Sequence, residues 1–296
     1  MHVNSVLFNW DAGEFESLLR SCRTDPVTPY LLQTFPAGGR ILESGCGLGR
    51  YVAFLEEQGY SVVGVEGNPE AVASVQRVRP GLNVRCGDAA ALPFADAEFD
   101  GALSLGVVEH FPAGPGRPLR ELLRVLKPGA AAVITVPCYN GLRRAKTATR
   151  SVRRLLNPLH HARRSPVLRR LAGRRPLGPE DRGYWPRCEG SIPFRRRTRH
   201  DLCDFYQYFF GKGEFVRILQ DAGFAVEQRV PIGLMDGIHH EISARLVPYE
   251  DRELHPGAAA KALNAVFSVV PFLHNHLMLC VVRKPAVGPA FAGGRA

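Results

Sequence analysis

The sequence predicts an α/β fold: a Rossmann-like, doubly wound, seven-stranded, mostly parallel sheet with an antiparallel last strand and a basic helical insertion. Three observations predict it. Short β-branched runs alternate with helical stretches over residues 40–137. A glycine-rich turn, Gly45-Cys46-Gly47-Leu48-Gly49, joins the first strand to the first helix. An Arg-rich stretch then breaks the alternation, and strand and helix patterns resume near residue 213.

The elements follow in order. Residues 40–43 (Arg-Ile-Leu-Glu) read as the first strand. Residues 50–58 read as a helix with Val52, Ala53 and Leu55 among its apolar positions and Gly59 as its stop. Residues 61–66 form a second strand. Asn68 then caps a helix with Pro69 in its first turn, a place where the missing proline donor costs nothing. Residues 82–86 and 99–105 are the third and fourth strands. Residues 119–126 are a helix closed by Lys127-Pro128-Gly129, and 130–136 are the fifth strand. Several of these strands are apolar on both faces, as a central parallel sheet requires. Strand–helix–strand repetition at this spacing calls for right-handed crossovers with helices on both faces.

Residues 139–179 hold twelve Arg and Lys and no Asp or Glu, with Leu155, Leu156, Leu159, Val167, Leu168 and Leu171 interleaved. That pattern predicts one or two basic amphipathic helices, as a lid, a docking surface or a solvated insertion. Residues 214–222 are helical, with Phe215, Ile218 and Leu219 on one face and Gly223 as the stop. Residues 224–230 are a sixth strand, and 276–283 a seventh, antiparallel strand reached by a long excursion. The organisation expected is a helical segment and ligand-binding core over 1–137, a basic insertion over 138–212, the rest of the sheet with a second insertion over 213–284, and a frayed Gly-, Pro- and Ala-rich tail over 285–296.

Composition narrows the class. The 296 residues are 45% hydrophobic and 22% charged, which excludes a wholly disordered chain. The net charge of +10 favours acidic partners: nucleic acid, anionic lipid, or a phosphorylated or carboxylated substrate. An equally open reading is an Arg-rich surface that is merely solvated. Seven scattered cysteines without a C-x-x-C pair argue against a disulfide framework and a structural zinc site, and suit a reducing cytosol. No secretory signal pattern is visible at residues 1–11, and no apolar run is long enough for a membrane span. The expectation is a cytoplasmic protein, with peripheral contact to an anionic membrane as one use of the charge.

The chemistry concentrates at the glycine turn. Its spacing is G-x-G-x-G rather than the G-x-G-x-x-G of dinucleotide sites, and Glu43 sits two residues before the first glycine. A carboxylate there repels a pyrophosphate and suits a cationic group such as the ammonium of a methionine moiety. Glu66 ends the second strand, where an acid can accept from both ribose hydroxyls. Asp88, in Gly87-Asp88-Ala89, follows the third strand, where a carboxylate can accept from an adenine amino group. Asp100 opens the fourth strand and reads as structural; Cys46 reads as a packing residue.

These residues resemble the class I S-adenosylmethionine-dependent methyltransferases, and most closely the small-molecule group related to the ubiquinone-biosynthesis O-methyltransferases. The matching pieces are residues 43–49, Val65-Glu66, Gly87-Asp88-Ala89, Leu105-Gly106-Val107-Val108-Glu109-His110-Phe111 and residues 119–129. A weaker likeness covers Gly211-Lys212-Gly213-Glu214-Phe215 and Ala222-Gly223-Phe224. The resemblance implies S-adenosyl-L-methionine as cofactor. It implies that Glu43 and the backbone of Gly45, Cys46, Gly47 and Gly49 hold the methionine end. Glu66 with Gly67 would hold the ribose, Asp88 with Ala89 the adenine, and the Leu105 carbonyl would lie beside the methionine moiety. The acceptor expected is a small molecule or a lipid- or glycan-linked intermediate, with oxygen as the accepting atom.

His110, just past the fourth strand, is the candidate general base, because histidine titrates near neutrality; packing against its loop is the competing role. His239-His240-Glu241, with His274 and His276, invites a metal, but no known ligand spacing is present. No metal is expected; two of these histidines can instead line the acceptor pocket. Two other functions compete. A nucleic-acid methyltransferase would use the Arg-rich insertion, but the N-P-P-Y type motif is absent after the fourth strand and aromatics do not interleave with the basic residues. A non-catalytic S-adenosylmethionine-binding module is disfavoured by the full set of ligand-side acids. A nicotinamide dehydrogenase fits poorly, given the glycine spacing.

Overall fold

A computed structural model describes residues 12–156, 192–197, 203–250 and 253–286. A short 3-10 turn leads into α1 (Phe15–Ser21), α2 (Thr28–Thr34), β1 (Arg40–Ser44), α3 (Arg50–Glu57), β2 (Ser61–Glu66), α4 (Pro69–Val78) and β3 (Val84–Cys86). There follow β4 (Phe99–Leu105), α5 (Gly116–Val125), β5 (Leu126–Pro137), α6 (Gly141–Leu156), β6 (Ile192–Arg197) and β7 (Cys203–Phe209). The chain then runs through α7 (Lys212–Asp221), β8 (Ala225–Ile232), α8 (Leu234–Glu241), β9 (Tyr249–Glu250), β10 (Glu253–Leu254), α9 (Ala258–Phe267) and β11 (Leu277–Arg283).

Seven strands form one sheet in the order β3-β2-β1-β4-β5-β11-β8. The first five run parallel, and β11 lies antiparallel between β5 and β8. This is the doubly wound mixed sheet that the sequence predicts. The strand order reverses between β1 and β4, so their crossovers leave on opposite faces and open a crevice at the carboxyl ends. β11 begins at Leu277, opposite Pro137 and Ile232, so its start shares that rim with the ends of β5 and β8.

Two apolar layers hold the sheet. On one face Leu42, Phe99 and Ile134 pack with Leu119, Leu122 and Phe215 of α5 and α7. On the other, Ile41, Val62 and Leu103 pack with Tyr51 and Leu55 of α3 and with Phe15, Leu19 and Leu31 of α1 and α2. Each such side chain contributes about 1.5–3 kcal/mol on burial. The link between α1 and α2 is pinned by Arg50, which donates to Ser21 Oγ at 3.0 Å and to Asp25 at 2.9 Å. At the amino end of the sheet Asp100 accepts from the Arg40 amide at 2.9 Å and from Lys127 at 2.6 Å, tying β1, β4 and β5 together.

Several boundaries differ from expectation. α5 starts at Gly116, a turn earlier than expected, because Leu119 N–H bonds back to Pro115. Lys127-Pro128-Gly129 does not separate helix from strand. β5 begins at Leu126, paired with Phe99, and takes up the irregularity as a register shift between Phe99 and Gly101. Among the described residues the basic insertion is helical only in its first part, α6. A hairpin, β6–β7, follows, and Tyr208 with Phe210 just beyond it is fully buried against the main core. Tyr206, Tyr208 and Phe210 recur with a period of two, which is the sequence signal for that strand. The second expected basic helix, and the expected frayed tail from residue 287, lie outside the described residues.

The excursion between β8 and β11 forms α8 and α9, which pack on each other through Ile238, Val247 and Ala260. α8 meets the approach to β11 backbone to backbone: a Cβ at Gly237 would overlap the His274 carbonyl oxygen. Gly237→Ala should therefore destabilise the protein by roughly 3 kcal/mol, since backbone rather than a flexible side chain must move. Urea unfolding of the variant against the parent measures this.

Candidate functional site

The glycine turn is built as a backbone cradle. Gly45, Gly47 and Gly49 all have positive φ, at 79°, 55° and 74°, which side chains rarely tolerate. Gly45 and Cys46 donate their amides to the Val65 carbonyl at 2.7 and 3.0 Å, folding the turn over the end of β2. The loop after β4 closes the other side so tightly that a Cβ at Gly45 would collide with the Val107 side chain.

Glu66 governs the cradle's shape. Its Oε2 accepts from Gly47 N–H at 2.8 Å and its Oε1 from Asn68 N–H at 2.9 Å. The carboxylate is half-buried, and a carboxylate oxygen with one such bond retains a lone pair for a hydroxyl donor. Gly67, next to it, is half-buried. Asn68 caps α4 as expected, accepting from Glu70 N–H at 2.9 Å. Asp88 lies exposed at the end of β3, its Oδ1 turned back to Ala90 N–H at 2.8 Å, with Ala89 buried beside it. Leu105 ends β4, and Gly106 turns the chain away with a φ of 70°.

Two buried carboxyls accompany the turn. Glu43 is 4% exposed and its Oε2 has no hydrogen-bond partner. Burial pushes its carboxyl up to about 8, with Arg50 and the Val52 amide pulling the other way. Glu109, in the 3-10 turn Val108–His110 after β4, is 2% exposed, and its Oε2 also lacks a partner. Burial raises it to about 8 as well. Unpartnered buried carboxyl oxygens are costly, and a cation against them offsets that cost. The residues therefore fit a positively charged ligand. His110 is buried in the same turn, its Nε2 3.8 Å from Glu109 Oε1. Cys46 is buried and its thiol is pushed well up by burial, so it packs rather than attacks.

The topology thus gathers Glu43, Gly45, Cys46, Gly47, Gly49, Glu66, Gly67, Asp88, Ala89, Leu105 and His110 along the carboxyl rim of β1, β2, β3 and β4. The histidines sit further along that rim. The rings of His240 on α8 and His276 before β11 stack with centroids 4.4 Å apart, and those of His239 and His240 meet edge to face at 4.7 Å. The sequence pattern has adjacent helical histidines diverge; here His239 leans back toward the Val247 carbonyl, 2.7 Å from its Nδ1, and the rings come together. Burial holds His276 neutral, lowering it to about 3. Among the described residues, no group of three or more His, Cys, Asp or Glu is placed to hold a metal ion.

Sequence reasoning left the roles of three residues unassigned. Glu109 read only as part of a motif; its burial comes from the 3-10 turn. Arg50, at the start of α3, needs the third dimension to find Asp25. Glu241 on α8 accepts from Arg143 and, at 3.2 Å, from Lys146. That pairing joins the basic helix to the histidine-bearing one across more than ninety residues of chain, and no local pattern announces it.

Known proteins resemble parts of this chain in sequence and most of it in fold. Residues 42–134 match the family described as a methyltransferase domain. An uncharacterised methyltransferase of Mycobacterium sp. (strain KMS) is 35% identical over 109 residues, covering 37% of this chain and 43% of the relative. The demethylmenaquinone methyltransferase of Beutenbergia cavernae is 40% identical over 98 residues, covering 33% of this chain and 40% of the relative. The chain thus aligns with less than half the length of these curated relatives. A SAM-dependent methyltransferase from Methanosarcina mazei shares the fold with a TM-score of 0.52 at 20% identity, over 88% of this chain and 98% of that one. One from Mesorhizobium loti does so with a TM-score of 0.50 at 15% identity, over 89% and 100%. The family match lies on the glycine turn and the acid-tipped strands, so residues 42–134 of this chain match a methyltransferase domain, set in a fold shared with S-adenosylmethionine-dependent methyltransferases.

Proposed function

We infer that the chain transfers a methyl group from S-adenosyl-L-methionine to oxygen on a small molecule or a lipid- or glycan-linked intermediate. One observation carries the reading: a glycine turn clamped by Glu66 and accompanied by two buried, unpartnered carboxyl oxygens, Glu43 Oε2 and Glu109 Oε2. In this reading Glu43 and the amides of the turn hold the methionine end, Glu66 with Gly67 the ribose, and Asp88 with Ala89 the adenine.

The bound cofactor supplies an already electrophilic methyl group. The protein's work is to exclude water and to align an acceptor. Val107 and the turn it presses on shape one wall, and the stacked His240 and His276 stand on the acceptor side of the rim. His110 takes the proton from an acceptor hydroxyl as the oxygen attacks. Glu109 Oε1, 3.8 Å from His110 Nε2, faces the imidazolium that this proton transfer forms. The match to a demethylmenaquinone methyltransferase over 98 residues, a third of this chain, supports an acceptor of the small-molecule or lipid-borne class.

Glu66→Ala should weaken S-adenosylhomocysteine binding roughly 100-fold in isothermal calorimetry, the loss of two charge-assisted hydrogen bonds. Undetectable binding to the parent protein, well folded by circular dichroism, would sink the reading. His110→Ala should keep that affinity and lose turnover by ~100-fold or more with a phenolic acceptor; undiminished turnover removes the base role.

Stability should also respond to pH. In the unfolded chain Glu109 titrates near its ordinary 4.5, and in the folded protein near about 8. The folded state binds the proton more tightly between those values, so this contribution is full below the lower one and is lost as pH rises through the upper. Glu109→Gln cannot ionise, and should exceed the parent by on the order of 2 kcal/mol above that range while matching it in acid. Denaturant titrations across pH test this; Glu43 acts with the same sign, so the flattening is partial.

A further inference from the structure

We propose that the rim on the acceptor side docks on an anionic lipid bilayer, through an apolar tip set against the basic helix α6. The proposal rests on the methyltransferase reading only for its meaning, that the acceptor is drawn from a membrane; the docking itself stands on separate residues.

Six large hydrophobic side chains among the described residues are exposed. Three of them, Val266, Val269 and Val270, fall in one five-residue run at the end of α9, and Val269 at 80% is the most exposed of the six. Pro271 continues the exposed run. The run is held out by an uncommon backbone: Phe272 has a φ of 63°, a conformation that a bulky residue adopts only when its surroundings impose it. Its carbonyl accepts from Gly141 N–H at 3.0 Å, and the Leu273 carbonyl accepts from Leu142 N–H at 2.9 Å. The tip is therefore bonded to the first residues of α6.

Charge complementarity selects the occupant. α6 carries Arg143, Arg144, Lys146, Arg150, Arg153 and Arg154 and no acid. Arg143 and Lys146 are engaged by Glu241. Arg144 is exposed. At the base of the tip Lys212 Nζ lies 5.6 Å and the Arg229 guanidinium 5.4 Å from the centre of the Phe272 ring. Glu214 and Glu241, the acids that bond to this face, are buried. An apolar projection beside a cluster of cations suits a surface that is anionic outside and hydrocarbon within. A nucleic acid uses the cations and leaves the valines in water; a second copy of the chain brings like charge against like.

The test sediments the full chain with vesicles of phosphatidylcholine, alone or mixed with phosphatidylglycerol. The parent should pellet with the mixed vesicles and stay in solution with the neutral ones. Val269→Asp combined with Val270→Asp should bind the mixed vesicles about tenfold less tightly, and Arg144→Glu should weaken binding in a salt-dependent way. S-adenosylhomocysteine titration of the same variants, with circular dichroism, checks that they are folded; a folded parent that binds vesicles but no S-adenosylhomocysteine counts against the cofactor reading and leaves the docking standing. The proposal is overturned if the parent ignores anionic vesicles, or if the double variant pellets as the parent does. It is equally overturned if light scattering shows the double variant breaking a dimer, or if single-stranded RNA displaces the parent from vesicles while the tip substitutions change nothing.

Discussion

Everything at the rim depends on how the end of β1 is fastened to the end of β2. The two strands pair in parallel, and a parallel pair has no tight turn to join its ends. Here the fastening is done by amides: Gly45 and Cys46 to the Val65 carbonyl, and Gly47 to the Glu66 carboxylate. The left-handed glycines are what allow three successive amides to aim this way. Without that bonding α3 loses its starting direction, Arg50 loses its reach to Asp25, and the N-terminal helices lose their anchor.

Most of this was legible in the sequence, and the reason is locality. The glycine spacing, the strand-ending Glu66, the Asn68-Pro69 cap and the apolar runs of β1 and β2 are all decided within a few residues, and the structure has each where the pattern puts it. The antiparallel last strand was also readable, because residues 277–283 are a short apolar run that follows a long excursion rather than a crossover helix. What was illegible is non-local. The strand content after the basic helix was masked by arginines that carry a strong helical signal of their own. The start of β5 at Leu126 depends on pairing with Phe99, not on the Lys127-Pro128-Gly129 punctuation. The burial of Glu109 depends on which way a 3-10 turn faces.

The histidine side of the rim is organised by different physics from the glycine side. There the polar groups are fixed by backbone amides; here they are fixed by one another. Glu241, 7% exposed, takes Arg143 and Lys146, while the Arg143 guanidinium lies 3.9 Å from the centre of the Phe209 ring. A buried carboxylate with two cationic partners is costly to break from either side. It makes α6, α8 and β7 one mechanical unit, so the basic helix and the stacked histidines keep a fixed relation. Burial lowers both His240 and His276, so the stack itself adds no charge to that part of the rim.

The place of β11 sets the order in which the molecule can be completed. β5 and β8 flank it, yet both precede it in the chain by many residues. During synthesis, at about 5–20 residues per second, β5 waits with an open edge for several seconds while the whole excursion is made. That edge is Ala- and Val-rich and would pair readily with a neighbouring nascent chain. The half of the sheet that holds the glycine cradle can pair as soon as β5 is made, whereas the half beside the histidines closes only when β11 enters between β5 and β8, so the two halves of the rim are completed in sequence and not together.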